Sequence, residues 1–239
     1  MEVIICKDYE EASAKAYEVM KSVISAKEDA TLGLATGSTP IGLYKNMIKD
    51  HKENGVSYAK CHTFNLDEYV GIDRNHEQSY YTFMHENLFN HIDIKEENVN
   101  LPYGDDQAAC DAYEKAMDGY KVDIQVLGIG ANGHIGFNEP GTSFDSLTHI
   151  VDLQEKTISD NARFFNDDMN LVPKKAITMG IATIMKAKKV LLIATGANKA
   201  DAVYGLVKGE VTESLPASIL QRHEDVVVVV DEAAASKIK

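Results

Sequence analysis

The chain has 239 residues, 44% of them hydrophobic, which suits one large α/β domain with a substantial core. Its formal net charge of −13 argues against nucleic acid or an anionic membrane as partner, and it means that a phosphorylated substrate would need a local positive field. Three sparse cysteines, Cys6, Cys61 and Cys110, exclude a disulfide framework and fit a reducing, cytoplasmic compartment, while no apolar run reaches the roughly 18 residues of a membrane span and the acidic first residues do not suit a signal peptide.

Apolar runs predict strands at 2–6, 31–35, 61–66, 122–128, 148–153, 176–179, 190–194 and 226–230. A first helix opens at Asp8, with Glu11 at capping-box spacing and an apolar stripe of Ala12, Ala16, Val19, Met20 and Val23. The strand 31–35 runs into Thr36-Gly37-Ser38-Thr39, and a second helix starts at Thr39-Pro40 with the stripe Ile41, Tyr44, Met47 and Ile48. Glycine allows close backbone approach, the helix start offers amide N–H groups, and Ser38 and Thr39 add hydroxyls, so this corner suits an anion; the plain alternative is a capped helix after a tight turn.

The strand 61–66 leads into Asp67-Glu68, carboxylates at a strand's carboxyl end, where acid–base chemistry or simple solvation are the competing readings. Helices follow at 79–89 and 105–117. The strand 122–128 enters Gly128-Ile129-Gly130-Ala131-Asn132-Gly133, a GxGxxG pattern, but Gly136, Pro140 and Gly141 prevent the helix that a dinucleotide site requires. What this loop offers instead is His134 and Glu139. A second anion corner follows the strand 190–194 at Thr195-Gly196-Ala197-Asn198-Lys199, with Lys199 in the first turn of a helix 198–207, where a cation opposes the helix dipole unless it faces an anion. A last helix is expected at 215–221.

This βαβ rhythm predicts an α/β fold, a Rossmann-like three-layer sandwich with a mostly parallel central sheet, in one domain over 1–239. The nucleotide P-loop, His-Glu-x-x-His and Gly-x-Ser-x-Gly motifs are absent.

The blocks Thr36-Gly37-Ser38-Thr39-Pro40, Asn65-Leu66-Asp67-Glu68-Tyr69-Val70-Gly71, Gly133-His134-Ile135-Gly136-Phe137-Asn138-Glu139-Pro140, Asn161-Ala162-Arg163-Phe164-Phe165 and Gly196-Ala197-Asn198-Lys199-Ala200 resemble, in order and spacing, those of glucosamine-6-phosphate deaminases. The resemblance implies conversion of glucosamine 6-phosphate to fructose 6-phosphate and ammonia, with neither cofactor nor metal. It implies that Asp67 is the general base between C2 and C1, and that His134 assists ring opening with Glu139 beside it. Gly37, Ser38, Thr39, Arg163 and Lys199 match the phosphate site, and 155–172 resembles a mobile lid. The family often has aspartate two residues before the histidine; here Asn132 stands there, able to accept a hydrogen bond from the imidazole but not to stabilise its cation as a carboxylate does.

The larger hexameric members carry an allosteric site built partly on two basic residues, whose matching positions here are His149 and Val151, and a longer tail after the last strand. The resemblance therefore implies a short, non-allosteric bacterial type, a monomer rather than a hexamer. Two rivals remain: a 6-phosphogluconolactonase-like hydrolase, whose acid pair is usually followed by arginine where Tyr69 stands here, and a non-catalytic sugar-phosphate sensor, which would need neither Asp67 nor His134.

Overall fold

A computed structural model describes residues 1–239, except the side chains of Lys156, Asp160 and Phe164. The first half of the chain runs β1 (Glu2–Cys6), α1 (Tyr9–Ala26), β2 (Thr31–Leu34), α2 (Ile41–Asn54), β3 (His62–Asn65), β4 (Asp67–Tyr69), α3 (Tyr80–Asn87), β5 (Val99–Asn100), α4 (Gln107–Met117) and β6 (Ile124–Leu127). The second half runs β7 (His149–Asp152), α5 (Glu155–Asn161), β8 (Lys175–Thr178), α6 (Ile181–Ile184), β9 (Val190–Ala194), α7 (Ala200–Lys208) and β10 (Val226–Asp231).

Seven strands form one sheet in the order β1-β10-β9-β6-β2-β3-β5, with every pair parallel. Burial explains why its inner strands read as unbroken apolar runs: all of β9, and Val226 to Val230 of β10, are buried. Helices α1 and α2 pack side by side, α1 also against β9 and β10. Asp8 caps α1 by accepting from the Glu11 amide at 2.9 Å, and the Glu11 carboxylate reaches back to the Lys7 amide at 2.7 Å. Parallel strands point their carboxyl ends to the same edge. From β2 the chain moves outward to β3 and β5, then returns to place β6 on the other side of β2. That reversal opens a crevice above β2 and β6, where open α/β sheets bind ligands.

The structure departs from the sequence reading in three places. The segments 148–153 and 176–179 do not join the parallel sheet; β7 and β8 pair antiparallel with β4 in a three-stranded sheet ordered β4-β8-β7. The chain changes sheets at Leu66, whose N–H still donates to Leu34 O at 3.0 Å while its carbonyl accepts from the Met179 N–H at 2.7 Å. No turn residue marks this step, so 61–66 and the acids read as strand and loop. The segment 215–221 is a 3-10 turn, Pro216–Arg222, rather than an α-helix. The two-residue β5 and the four-residue α6 are too short to produce a readable period.

Gly180 joins the small sheet to α6 where no side chain fits: a methyl there would lie 2.2 Å from the carbonyl oxygens of Ser146 and Leu147. Because those are backbone atoms, Gly180→Ala is expected to destabilise the fold by about 2 kcal/mol or more, read as a drop in thermal midpoint.

Candidate active site

A cleft of about 370 Å³ opens over the carboxyl ends of β2, β6 and β9, and the turn after β2 forms one wall. Gly37 takes φ 91°, a left-handed conformation that glycine adopts without strain. Tyr9 of α1 braces this turn from behind: its hydroxyl accepts from the Gly42 N–H at 2.7 Å and donates to Ser38 O at 3.1 Å. The N-cap residue Pro40 makes no side-chain cap and Tyr9 takes the Gly42 N–H from behind, so Gly37, Ser38 and Thr39 lead into a helix start that its own N-cap residue leaves uncapped.

The turn after β9 forms the facing wall. Gly196, at φ 93°, donates its N–H to both oxygens of Asp231, at 2.9 and 3.1 Å, and the same carboxylate accepts from the Ala234 N–H at 2.7 Å. This anchor presents Asn198 and the half-buried Lys199 to the cleft. Lys199 ends a 3-10 turn, Ala197–Lys199, and stands at the residue just before α7 rather than within its first turn. Arg163 lines the same cleft from a 3-10 turn that follows α5.

Asp67 lies on the floor. Far from being solvated loop acids, Asp67 and Glu68 are 7% and 1% exposed and belong to β4. Successive strand side chains point to opposite faces, which separates their surroundings. Asp67 lines the cleft, and among the described residues no hydrogen bond to its carboxylate is seen. Glu68 turns away and accepts from the amides of Tyr69, Tyr80 and Tyr81 at 2.8, 3.0 and 3.0 Å, locking β4 to the start of α3. Burial, together with the neighbouring Glu68 charge, pushes the Asp67 carboxyl up to about 8.

The Gly-rich loop after β6 supplies the opposite side. The His134 ring lies so close over Gly130 that a methyl there would meet ring atoms at 2.4 to 2.5 Å. His134 Nδ1 is 3.3 Å from Glu139 Oε2, close enough for attraction but not in good hydrogen-bond alignment. Glu139 sits behind the histidine, accepting from Asn132 Nδ2 at 2.6 Å and from Thr157 Oγ1 at 2.7 Å. Burial raises the proton affinity of Glu139, but His134, Thr157 and Asn132 outweigh it, so the carboxyl is held below its ordinary range. Asn132 does not take the role expected for it. Its carbonyl oxygen accepts from the backbone N–H of His134 at 3.2 Å, and its amide serves Glu139; the acceptor facing the imidazole is Glu139.

The structure thus places Asp67, His134, Asn132, Gly37, Ser38, Thr39, Arg163 and Lys199 on the cleft with Glu139 directly behind, while Glu68 points away from it. Sequence reasoning gave no role to Tyr80, Thr157 or Asn161, although Asn161 opens one of the family-like blocks. The Tyr69 and Tyr80 rings lie 4.8 Å apart, tilted by 45°, Phe165 meets Tyr69 edge-on at 5.8 Å, and Asn161 donates to the Tyr69 hydroxyl at 2.8 Å. For Thr157 the sole signal was its helical spacing from Asn161, and polar residues four apart are ordinary on exposed helices. Among the described residues no cluster of three or more metal-ligating side chains occurs.

The raised Asp67 carboxyl predicts a pH-dependent stability. Between about 4, where a free aspartate ionises, and about 8, the folded protein holds a proton that the unfolded chain has lost, so stability falls as pH rises through that interval. Asp67→Asn cannot ionise. Its stability relative to the unsubstituted protein is expected to rise steadily with pH from about 4 to about 8. Urea unfolding at pH 5 and pH 8.5 measures the difference.

Comparison with known proteins agrees with this geometry. Residues 8–229 match the family described as glucosamine-6-phosphate isomerases/6-phosphogluconolactonase. A glucosamine-6-phosphate deaminase of Clostridioides difficile is 52% identical over 242 residues, covering 100% of this chain and 97% of the relative. Glucosamine-6-phosphate deaminase 2 of Bacillus subtilis is 50% identical, covering 100% of this chain and 98% of the relative. A solved structure described as a monomeric glucosamine-6-phosphate deaminase superposes with a TM-score of 0.96 at 46% identity, covering 99% of this chain and 100% of that one. The 6-phosphogluconolactonase of Trypanosoma brucei shares the fold, with a TM-score of 0.81 at 20% identity. The chain belongs to the family of glucosamine-6-phosphate isomerases and 6-phosphogluconolactonases.

Proposed function

We propose that this chain is a glucosamine-6-phosphate deaminase, which converts glucosamine 6-phosphate and water to fructose 6-phosphate and ammonia. One observation carries the reading: a buried carboxyl, Asp67, shares a cleft with a His–Glu pair and with a cationic, glycine-turned rim. Full-length identity of about half to proteins named for that activity supports it.

The 6-phosphate binds between the turn of Gly37, Ser38 and Thr39 and the cations Lys199 and Arg163. Two cations and a helix start offset the chain's overall −13 charge locally, and the binding energy gained far from the reacting carbons positions them. His134, held by Glu139, moves the proton that opens the pyranose ring. Asp67 then takes the hydrogen from C2 of the open chain, leaving an enolamine, and returns it to C1. The resulting C2 iminium adds water, and ammonia departs as the C2 ketone forms. Asp67 must be ionised to begin. Burial makes it a stronger base than a surface aspartate, which suits abstraction of a weakly acidic C–H. The segment 155–172, carrying Arg163, acts as a lid over the sugar. The chain works as a monomer, as the relative solved at 46% identity is described.

A lactonase reading has the shared fold in its favour but no observation in this cleft that singles it out. Ammonia release from glucosamine 6-phosphate, run beside hydrolysis of 6-phosphogluconolactone, separates the two; hydrolysis without ammonia release would reverse the assignment. Asp67→Asn is expected to bind substrate nearly normally, lose turnover by roughly a hundredfold or more, and abolish exchange of the C2 proton in deuterated water. Exchange persisting at the unsubstituted rate would remove Asp67 from the base role. Lys199→Ala is expected to raise KM roughly tenfold or more with a smaller change in kcat, and to weaken inhibition by inorganic phosphate in parallel.

A further inference from the structure

The two oxygens of Glu139 face different parts of the molecule. Oε2 takes the Asn132 amide at 2.6 Å and faces His134 Nδ1 at 3.3 Å, both within the Gly-rich loop. Oε1 takes the Thr157 hydroxyl at 2.7 Å, and Thr157 belongs to α5, the first element of the segment proposed as a lid. Both partners are buried, with Glu139 at 5% and Thr157 at 9% exposure. One turn further along α5, Asn161 donates to the Tyr69 hydroxyl at 2.8 Å, and Tyr69 is two residues from Asp67 on β4. Residues four apart share a helix face. A single face of α5 therefore touches both halves of the machinery, the His–Glu pair through Thr157 and the strand of the base through Asn161. Arg163 follows immediately.

We propose that Thr157 is a positioning residue, which couples seating of α5 to the orientation of the Glu139 carboxylate and, through it, of His134. The terminal torsion of a glutamate is soft, so a carboxylate held by one oxygen can still swing. Holding Oε1 from α5 leaves Oε2 fixed toward the imidazole. When α5 is unseated, Glu139 keeps its Asn132 contact but loses the second restraint. Phosphate capture by Arg163, at the far end of the helix, then favours the arrangement in which His134 is oriented for ring opening. The coupling of Thr157 to ring opening rests on the deaminase reading; the coupling of Thr157 to the His–Glu pair does not.

Thr157→Val removes the hydroxyl at nearly constant volume, and Thr157→Ser keeps it. A hydrogen bond to a charged group is worth enough that Thr157→Val should lower kcat for ammonia release roughly ten- to a hundredfold. KM should stay within about twofold. So should affinity for the reduced open-chain analogue 2-amino-2-deoxyglucitol 6-phosphate, which has no ring to open. Thr157→Ser should recover most of the loss. In a Glu139→Gln background, Thr157→Val should cost little more, because its target is already altered. A kcat unaffected by Thr157→Val, an equal cost with and without Glu139, or analogue affinity falling along with kcat and unrescued by serine would overturn the proposal. Ring resonances of His134 in the ligand-free protein test the coupling whatever the reaction proves to be. They should move in Thr157→Val and return in Thr157→Ser; unmoved resonances would overturn it. Absence of ammonia release from the unsubstituted protein would instead count against the deaminase reading.

Discussion

An aspartate carboxyl on a buried strand, with no hydrogen-bond donor among the described residues, is the constraint around which the site is arranged. Ionising Asp67 costs free energy because water is excluded and Glu68 lies next to it in sequence. The same cost makes it a base of useful strength. The fold keeps the two acids apart in function by strand alternation: Glu68 spends its lone pairs on the Tyr69 amide of β4 and on two amides at the head of α3, while Asp67 is left facing the cleft. A strand that turned Glu68 toward the cleft would take the acceptor from the Tyr80 and Tyr81 amides and bring two carboxylates together.

Electrostatic roles across the cleft are divided in the same manner. Glu139 has a buried carboxylate too, but three neighbours satisfy it and hold it in the charged form. Asp67 and Glu139 are therefore pushed in opposite directions by their environments, a pattern that commonly separates a base from the partner of an acid–base histidine. Asn132 contributes to the separation. As an amide it donates to Glu139, which an ionised aspartate at the same position could not do, and Glu139 is left as the acceptor facing the imidazole. The cations stand on separate elements, Lys199 at the head of α7 and Arg163 beyond α5, so closing the phosphate pocket and ordering the lid segment are one event in the proposed cycle.

Much of this was readable from the chain alone, and the reason is local. Continuous apolar runs announce strands covered on both faces, amphipathic stripes announce the longer helices, and Gly-hydroxyl corners after strands announce the turns that line the cleft; each depends on a few adjacent residues. The residue blocks carried the resemblance to a deaminase, and Asp67, His134, Lys199 and Arg163 were legible as candidates for the same reason. Among the long elements, α1, α2 and α4 lie close to where periodicity put them.

What tertiary structure decided is what depends on partners distant in sequence. Whether Asp67 and Glu68 are solvated or buried turns on pairing with β8, more than a hundred residues later, and on the change of sheet at Leu66, which leaves no local mark. The reach of Thr157 and Asn161 into the site likewise arises from packing between segments that are separate in sequence, whereas Asn132, His134 and Glu139 meet within one loop through the path its backbone takes. The amino-acid sequence determined the sheet's main strands and which chemical groups the protein holds. The three-dimensional arrangement set their exposure and their neighbours, and so their acidity, because desolvation and hydrogen bonding act through space, not along the chain.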